Sequence, residues 1–118
     1  LFPYTTLFRS RYILNSLIPE LVSLYGDYIM QIVQYKASLS DIPLAILTRN
    51  DLDDYGRALF YRQRQGIEKK YNDMYDAGTL TIIEYNYDPV INQEAHDPVA
   101  DMLRGGETLW KREENKNE

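Results

Sequence analysis

Apolar residues recur at three- and four-residue spacing through Ile18, Leu21, Tyr25, Tyr28, Ile29 and Ile32. That is the stripe of an amphipathic helix. Asn15 or Ser16 can cap it and Pro19 suits its first turn, so the spacing predicts a helix running to about Lys36. Gly26 is expected to weaken this helix without ending it. Ser38 to Asp41 reads as a turn. Ile42 to Leu47 (IPLAIL) is a continuous apolar run between polar neighbours, which fits a strand buried on both faces. The polar loop Thr48 to Asp54 follows, and Asp53 or Asp54 can cap the next helix. Tyr55, Ala58, Leu59, Ile67, Tyr71, Met74 and Tyr75 give that helix its expected core side, and Gly78 its stop. Thr79 to Glu84 (TLTIIE) is rich in β-branched residues and reads as a second strand. Tyr85 to Ala95 is a loop containing Asp88 and Pro89. Asp97 then caps a short helix, Pro98 takes its first position, Val99, Met102 and Leu103 form its apolar face, and Gly105-Gly106 ends it.

The predicted order is helix, strand, helix, strand, helix. A strand, a long helix and a strand make a crossover unit with parallel strands. The expected fold class is therefore α/β, as a helix-strand-helix-strand-helix piece of a parallel three-layer sandwich. Two strands leave open edges, so the piece reads as part of an incomplete domain that can self-associate through its sheet edges.

Composition narrows the function classes. The chain has 118 residues, enough for one domain, with 44% apolar and 26% charged residues. That balance is globular rather than disordered or fibrous. It has no cysteine, which excludes a disulfide scaffold, a thiolate zinc site and a cysteine nucleophile in this stretch. A single histidine, His96, excludes a multi-histidine metal site. None of the six glycines fits a dinucleotide or phosphate loop. No cofactor, metal or membrane partner is expected, and the cysteine-free composition accords with a cytoplasmic setting.

Residues 1–10, LFPYTTLFRS, resemble the translation of a common sequencing-library adapter over all ten positions. The resemblance implies that they are not native and are best left out of fold reasoning. Setting them aside removes Arg9 and takes the formal net charge from −5 to −6. The expected organisation is residues 1–10 as adapter translation, 11–110 as the C-terminal part of one α/β domain, and 111–118 as a charged tail.

IPLAILTRND (Ile42 to Asp51), the helix after it, TLTIIE, the loop and DPVADML (Asp97 to Leu103) together resemble the C-terminal end of the α/β-hydrolase family. Members commonly end with a strand, a loop carrying an acid, a helix, a last strand, a histidine loop and a helix opened by proline. The resemblance covers residues 38–104 in pattern rather than in a diagnostic motif. It implies that Asp51 is the triad acid and His96 the base, with the nucleophile upstream. Family spacing places the histidine near Tyr87 or Asp88, where this chain has NYDP. The implied parent acts on an ester or amide bond of a small-molecule substrate, and the fragment itself is inactive. Asp51, Asp53 and Asp54 equally suit a solvated loop and a helix cap, and His96 a surface position near a helix N-terminus.

Two alternatives stand beside the hydrolase. One is a non-enzymatic α/β interaction or regulatory module, and the other a nucleotide- or phosphate-binding domain. Arg57, Arg62, Arg64, Lys69 and Lys70 are read as a solvated helix face rather than a nucleic-acid stripe, because acidic residues mix with them and the chain is net acidic. Asp88, Glu94, His96, Asp97 and Asp101 lack metal-ligand spacing and are read as loop and cap residues.

Overall fold

The computed structural model describes residues 2–35, 41–74, 79–87 and 98–113. Helix α1 (Phe2–Tyr25) leads through a single 3-10 turn (Gly26–Tyr28) into strand β1 (Ile29–Gln34). Strand β2 (Asp41–Thr48), helix α2 (Asp54–Met74), strand β3 (Thr79–Asn86), helix α3 (Pro98–Gly105) and strand β4 (Glu107–Lys111) follow. The four strands form one sheet in the order β3-β2-β1-β4. β2 and β3 are parallel, and β1 runs antiparallel to both β2 and β4.

The crossover unit β2-α2-β3 therefore forms as expected, and β2 is the buried central strand. The parallel three-layer sandwich does not form: the sheet is mixed. Only six residues separate Gln34 from Asp41. That is too few for the crossover a parallel pair requires, so β1 and β2 must pair antiparallel.

The first helix also departs from its predicted course. It starts ahead of Asn15, contains Pro19, and ends at Tyr25 rather than near Lys36. Gly26 adopts φ +60, a left-handed conformation that glycine takes without steric cost. The backbone is already extended at Ile29. Ile32 and Val33 then gain more from a pleated strand, where branched side chains keep their preferred rotamers, than from continuing a helix. Arg112 secures this change of direction. Its Nε donates to the Ile29 carbonyl (2.9 Å) and its Nη2 to the Gly26 carbonyl (2.6 Å), while its backbone N–H donates to Met30 (2.9 Å). Pro19 forfeits one intrahelical hydrogen bond, and burial of Ile13, Leu17, Leu21 and Tyr25 along one side of α1 offsets that loss.

One core cluster joins that side of α1 to Ile32 of β1, Ile42, Leu44 and Ile46 of β2, Leu80 and Ile82 of β3, and Tyr71 of α2. Alternation along β2 puts Ile42, Leu44 and Ile46 on the face covered by both long helices. Pro43, Ala45 and Leu47 take the opposite face, where Ala45 and Leu47 are fully buried. A second tie between the helices is polar: Tyr71 Oη donates to Glu20 Oε2 (2.8 Å) and Lys70 Nζ to Glu20 Oε1. The hydrogen bond from Lys70 is the main reason the Glu20 carboxyl sits below its ordinary pKa.

Helix α2 carries Asp53 as its cap, its Oδ1 accepting from the Gly56 N–H at 2.7 Å. Its buried side is only partly the one expected. Ile67 and Tyr71 turn inward as expected, but Arg57, Phe60 and Arg64 join them, while Tyr55, Ala58, Leu59 and Met74 are exposed. Tyr75 and Gly78 lie outside the described residues. Pro98 opens α3 and Gly105 closes it, as expected. β4 was not among the expected elements; its five residues pair with β1 along one edge of the sheet.

The opposite edge, β3, is blunted by side chains of α2. Asn72 Oδ1 accepts from the Leu80 N–H (2.8 Å), its Nδ2 donates to the Leu80 carbonyl (3.0 Å), and Glu68 Oε2 accepts from the Ile82 N–H (2.8 Å). These bonds occupy backbone groups that an added strand would need. The self-association expected of open edges thus meets a filled edge here. The double variant Glu68→Ala with Asn72→Ala is expected to give more concentration-dependent oligomer than the parent chain in sedimentation velocity. Identical sedimentation of the two would show that these side chains do not guard the edge.

Candidate functional site

The chemistry-bearing side chains gather at the carboxyl ends of the parallel strands, where open α/β sheets commonly place their sites. The parallel register sets Ile46 beside Glu84 and Thr48 beside Asn86, so Thr48, Glu84 and Asn86 share the face covered by α2. The loop 49–53 turns the chain back, and α2 runs over these residues. Arg57, in its first turn, and Arg64, two turns later, both reach down to Glu84.

Glu84 answers each arginine with a separate oxygen. Arg57 Nη1 lies 3.3 Å from Oε1 and Arg64 Nη1 lies 3.3 Å from Oε2. The Glu84 and Arg64 side chains are only 9% and 8% exposed, against 27% for Arg57. Arg64 also donates to Tyr25 Oη at 2.7 Å, which fastens the end of α1 to α2. Arg57 donates to Asn86 Oδ1, to the Arg49 carbonyl (3.4 Å) and to Thr48 Oγ1 (3.4 Å). Thr48 is fully buried and donates in turn to the Tyr85 carbonyl at 3.4 Å. Two guanidiniums facing one carboxylate leave one net positive charge, with Arg57 as its more accessible end.

Tyr25 stacks on Phe60, ring centroids 4.5 Å apart and planes 20° from parallel, and Phe60 meets Tyr28 edge-on at 6.0 Å. Burial pushes the Tyr25 phenol up to about 12, and the bond from Arg64 offsets only part of that rise. The group holds its proton about two pH units longer when folded than when unfolded, so its stabilisation is complete below pH 10 and is lost between pH 10 and 12. Stability is expected to fall by about 2–3 kcal/mol over that window. Tyr25→Phe removes this loss and deletes one late-ionising tyrosine from an ultraviolet titration. An unchanged titration curve in the variant would show that the phenol is not held up in this way.

Outside this cluster, a groove of about 330 Å³ lies against the start of α2, lined by Tyr28, Asp51, Leu52, Asp53, Gly56, Leu59, Phe60 and Gln63. Phe60 separates it from the buried cluster. A second hollow of about 420 Å³ lies between α1 and β4, lined by Arg11, Leu14, Asn15, Ile18, Pro19, Gln34, Glu107 and Leu109. Among the described residues, no group of three or more His, Cys, Asp or Glu side chains is placed to hold a metal ion. Among them, too, no helix is long and apolar enough to cross a membrane.

Asp51 follows β2 as expected, half-exposed and ion-paired with Arg49 (2.6 Å). His96 lies outside the described residues, as do Asp88, Glu94 and Asp97, so no geometry relates His96 to Asp51. The cluster around Glu84 was not anticipated. From sequence Arg57 and Arg64 read as a solvated face, although their seven-residue spacing, with Phe60 between and Ile67 beyond, is the available sign of a common inward side.

No protein-family model and no curated protein matches this chain. Solved structures do. The toxin–antitoxin pair MntA–HepT is similar over 86% of this chain and 73% of the matched chain, at 16% identity and a TM-score of 0.51. A structure from Shewanella oneidensis matches over 85% and 71% at 19% identity, with a TM-score of 0.49. A mutant of the toxin–antitoxin pair matches over 83% and 72% at 18% identity, with a TM-score of 0.48. At such identities the likeness to MntA–HepT is one of fold. It overturns the α/β-hydrolase resemblance, and the mixed sheet departs from the parallel sandwich expected beside it. The ester- or amide-cleaving parent goes with it, and so does the resemblance from which Asp51 and His96 took their triad roles. The non-enzymatic interaction or regulatory module set beside the hydrolase gives way as well.

Proposed function

We propose that this chain is one member of a toxin–antitoxin pair and forms a complex with the protein that is the other member. The observation that carries this reading is the shared fold with the MntA–HepT structure over 86% of the chain. The structure is compatible with it: both long helices and the mixed sheet form one core, which leaves the outer side of α2 and the groove at its start open to a partner. A small-molecule substrate has no support in this arrangement.

The test is genetic and biochemical. Each protein encoded beside this one is expressed in a bacterial host with and without this chain. One protein of the pair is expected to arrest growth, the other to relieve the arrest, and the two to co-purify. Growth unaffected in every combination, with no complex formed, would sink the proposal.

A further inference from the structure

We propose that the groove at the start of α2 is a docking site for a basic amphipathic segment of a protein partner, which inserts an apolar side chain and sets lysine or arginine against the rim. This deepens the toxin–antitoxin reading and rests on it for the partner's being a protein.

The floor is apolar and partly aromatic, made by Leu52, Leu59, Phe60 and the ring of Tyr28. Gly56 keeps it open. A Cβ built there would stand 2.7 Å from Leu52 Cδ1, so only glycine lets Leu52 lie where it does. Tyr55, one turn before Leu59, is 74% exposed and Leu59 is 42% exposed, which extends the apolar surface along α2 beyond the groove. Such a surface on a small protein is a mark of contact with another molecule.

Charge selects the partner. Asp51 and Asp53 stand in the lining. Arg57 is turned away to Glu84 and Asn86, and Arg49 reaches the rim through Asp51. Arg49 itself shows what the rim accepts. Its guanidinium is held by the Asp51 carboxylate at 2.6 Å and lies 6.0 Å from the centre of the Tyr28 ring. A carboxylate beside an aromatic face is the pairing that takes a guanidinium or ammonium group. The lining holds two aspartates and no lysine or arginine, so a basic segment is steered to it and an acidic one is repelled.

The probe is a synthetic helical peptide of alternating leucine and lysine faces, with a leucine–glutamate peptide as control, added to the full chain. The leucine–lysine peptide is expected to shift the amide signals of Tyr28, Leu52, Gly56 and Leu59, and the control to leave them unmoved. Leu59→Asp, on an exposed position, is expected to weaken binding about tenfold with the fold intact by circular dichroism. Asp51→Lys is expected to weaken it and to flatten its salt dependence. Signals that stay in place at millimolar peptide, shifts centred elsewhere, or equal binding of both peptides would overturn the proposal. The two readings fail separately. A partner complex indifferent to Leu59→Asp and Asp51→Lys removes the groove and spares the toxin–antitoxin reading, whereas groove binding without any partner complex does the reverse.

Discussion

Glu84→Gln is expected to destabilise the fold by about 3–5 kcal/mol, the range for breaking a buried ion pair by removing one partner. In a domain of this size that lowers the thermal midpoint by on the order of 10–20 °C. The reason lies in the arithmetic of charge. Glu84 is the carboxylate facing both Arg57 and Arg64, and Arg64 is at least as buried as Glu84 itself. Glutamine keeps the shape and some hydrogen bonding but leaves two guanidiniums uncompensated. Adding Arg64→Met to Glu84→Gln removes one of them and is expected to recover part of the loss, so the two changes will not add. A loss under about 1 kcal/mol for Glu84→Gln, as for an exposed pair, would mean that water screens this cluster.

The second large effect is expected in the core. Leu44 is fully buried at the centre of β2, within the cluster that unites both long helices with the sheet. Leu44→Ala is expected to cost about 2–5 kcal/mol through lost burial and the cavity left behind. Leu59→Ala is expected to change stability by less than about 0.5 kcal/mol, because Leu59 faces outward. Chemical denaturation of both variants checks the pair. A large effect at Leu59 would restore the helix orientation that periodicity alone predicts and would remove the apolar lip of the groove.

These two predictions mark where the chain was legible. β2 was readable because six successive apolar residues between polar neighbours have few alternatives to a central strand. The crossover through α2 to β3 was readable from a cap at Asp53 or Asp54, of which the structure uses Asp53, and from the β-branched run after the helix. β1 was not readable. Its apolar residues, Ile29 and Ile32, continue the three- and four-residue spacing of α1, and periodicity cannot reveal that Gly26 turns left-handed between them. β4 was not readable either, since five residues near a charged end become a strand only when β1 offers an edge.

The site divides along the same line. Asp51 was correctly placed after β2, and its pairing with Arg49 is a local contact between residues two apart. The role of Glu84 depends on Arg57 and Arg64, 27 and 20 residues away, and on Tyr25 of another helix. From sequence the arginines belonged outside, because an unpaired charge is costly to bury. The sequence by itself determined the central strand, the parallel unit and the capped start of α2, all set by neighbours within a few residues. Only the tertiary structure decided the mixed sheet, the rotation of α2 and the inward arginines. Each of these depends on a partner brought close by folding, whose charge or backbone edge reverses what a residue prefers alone.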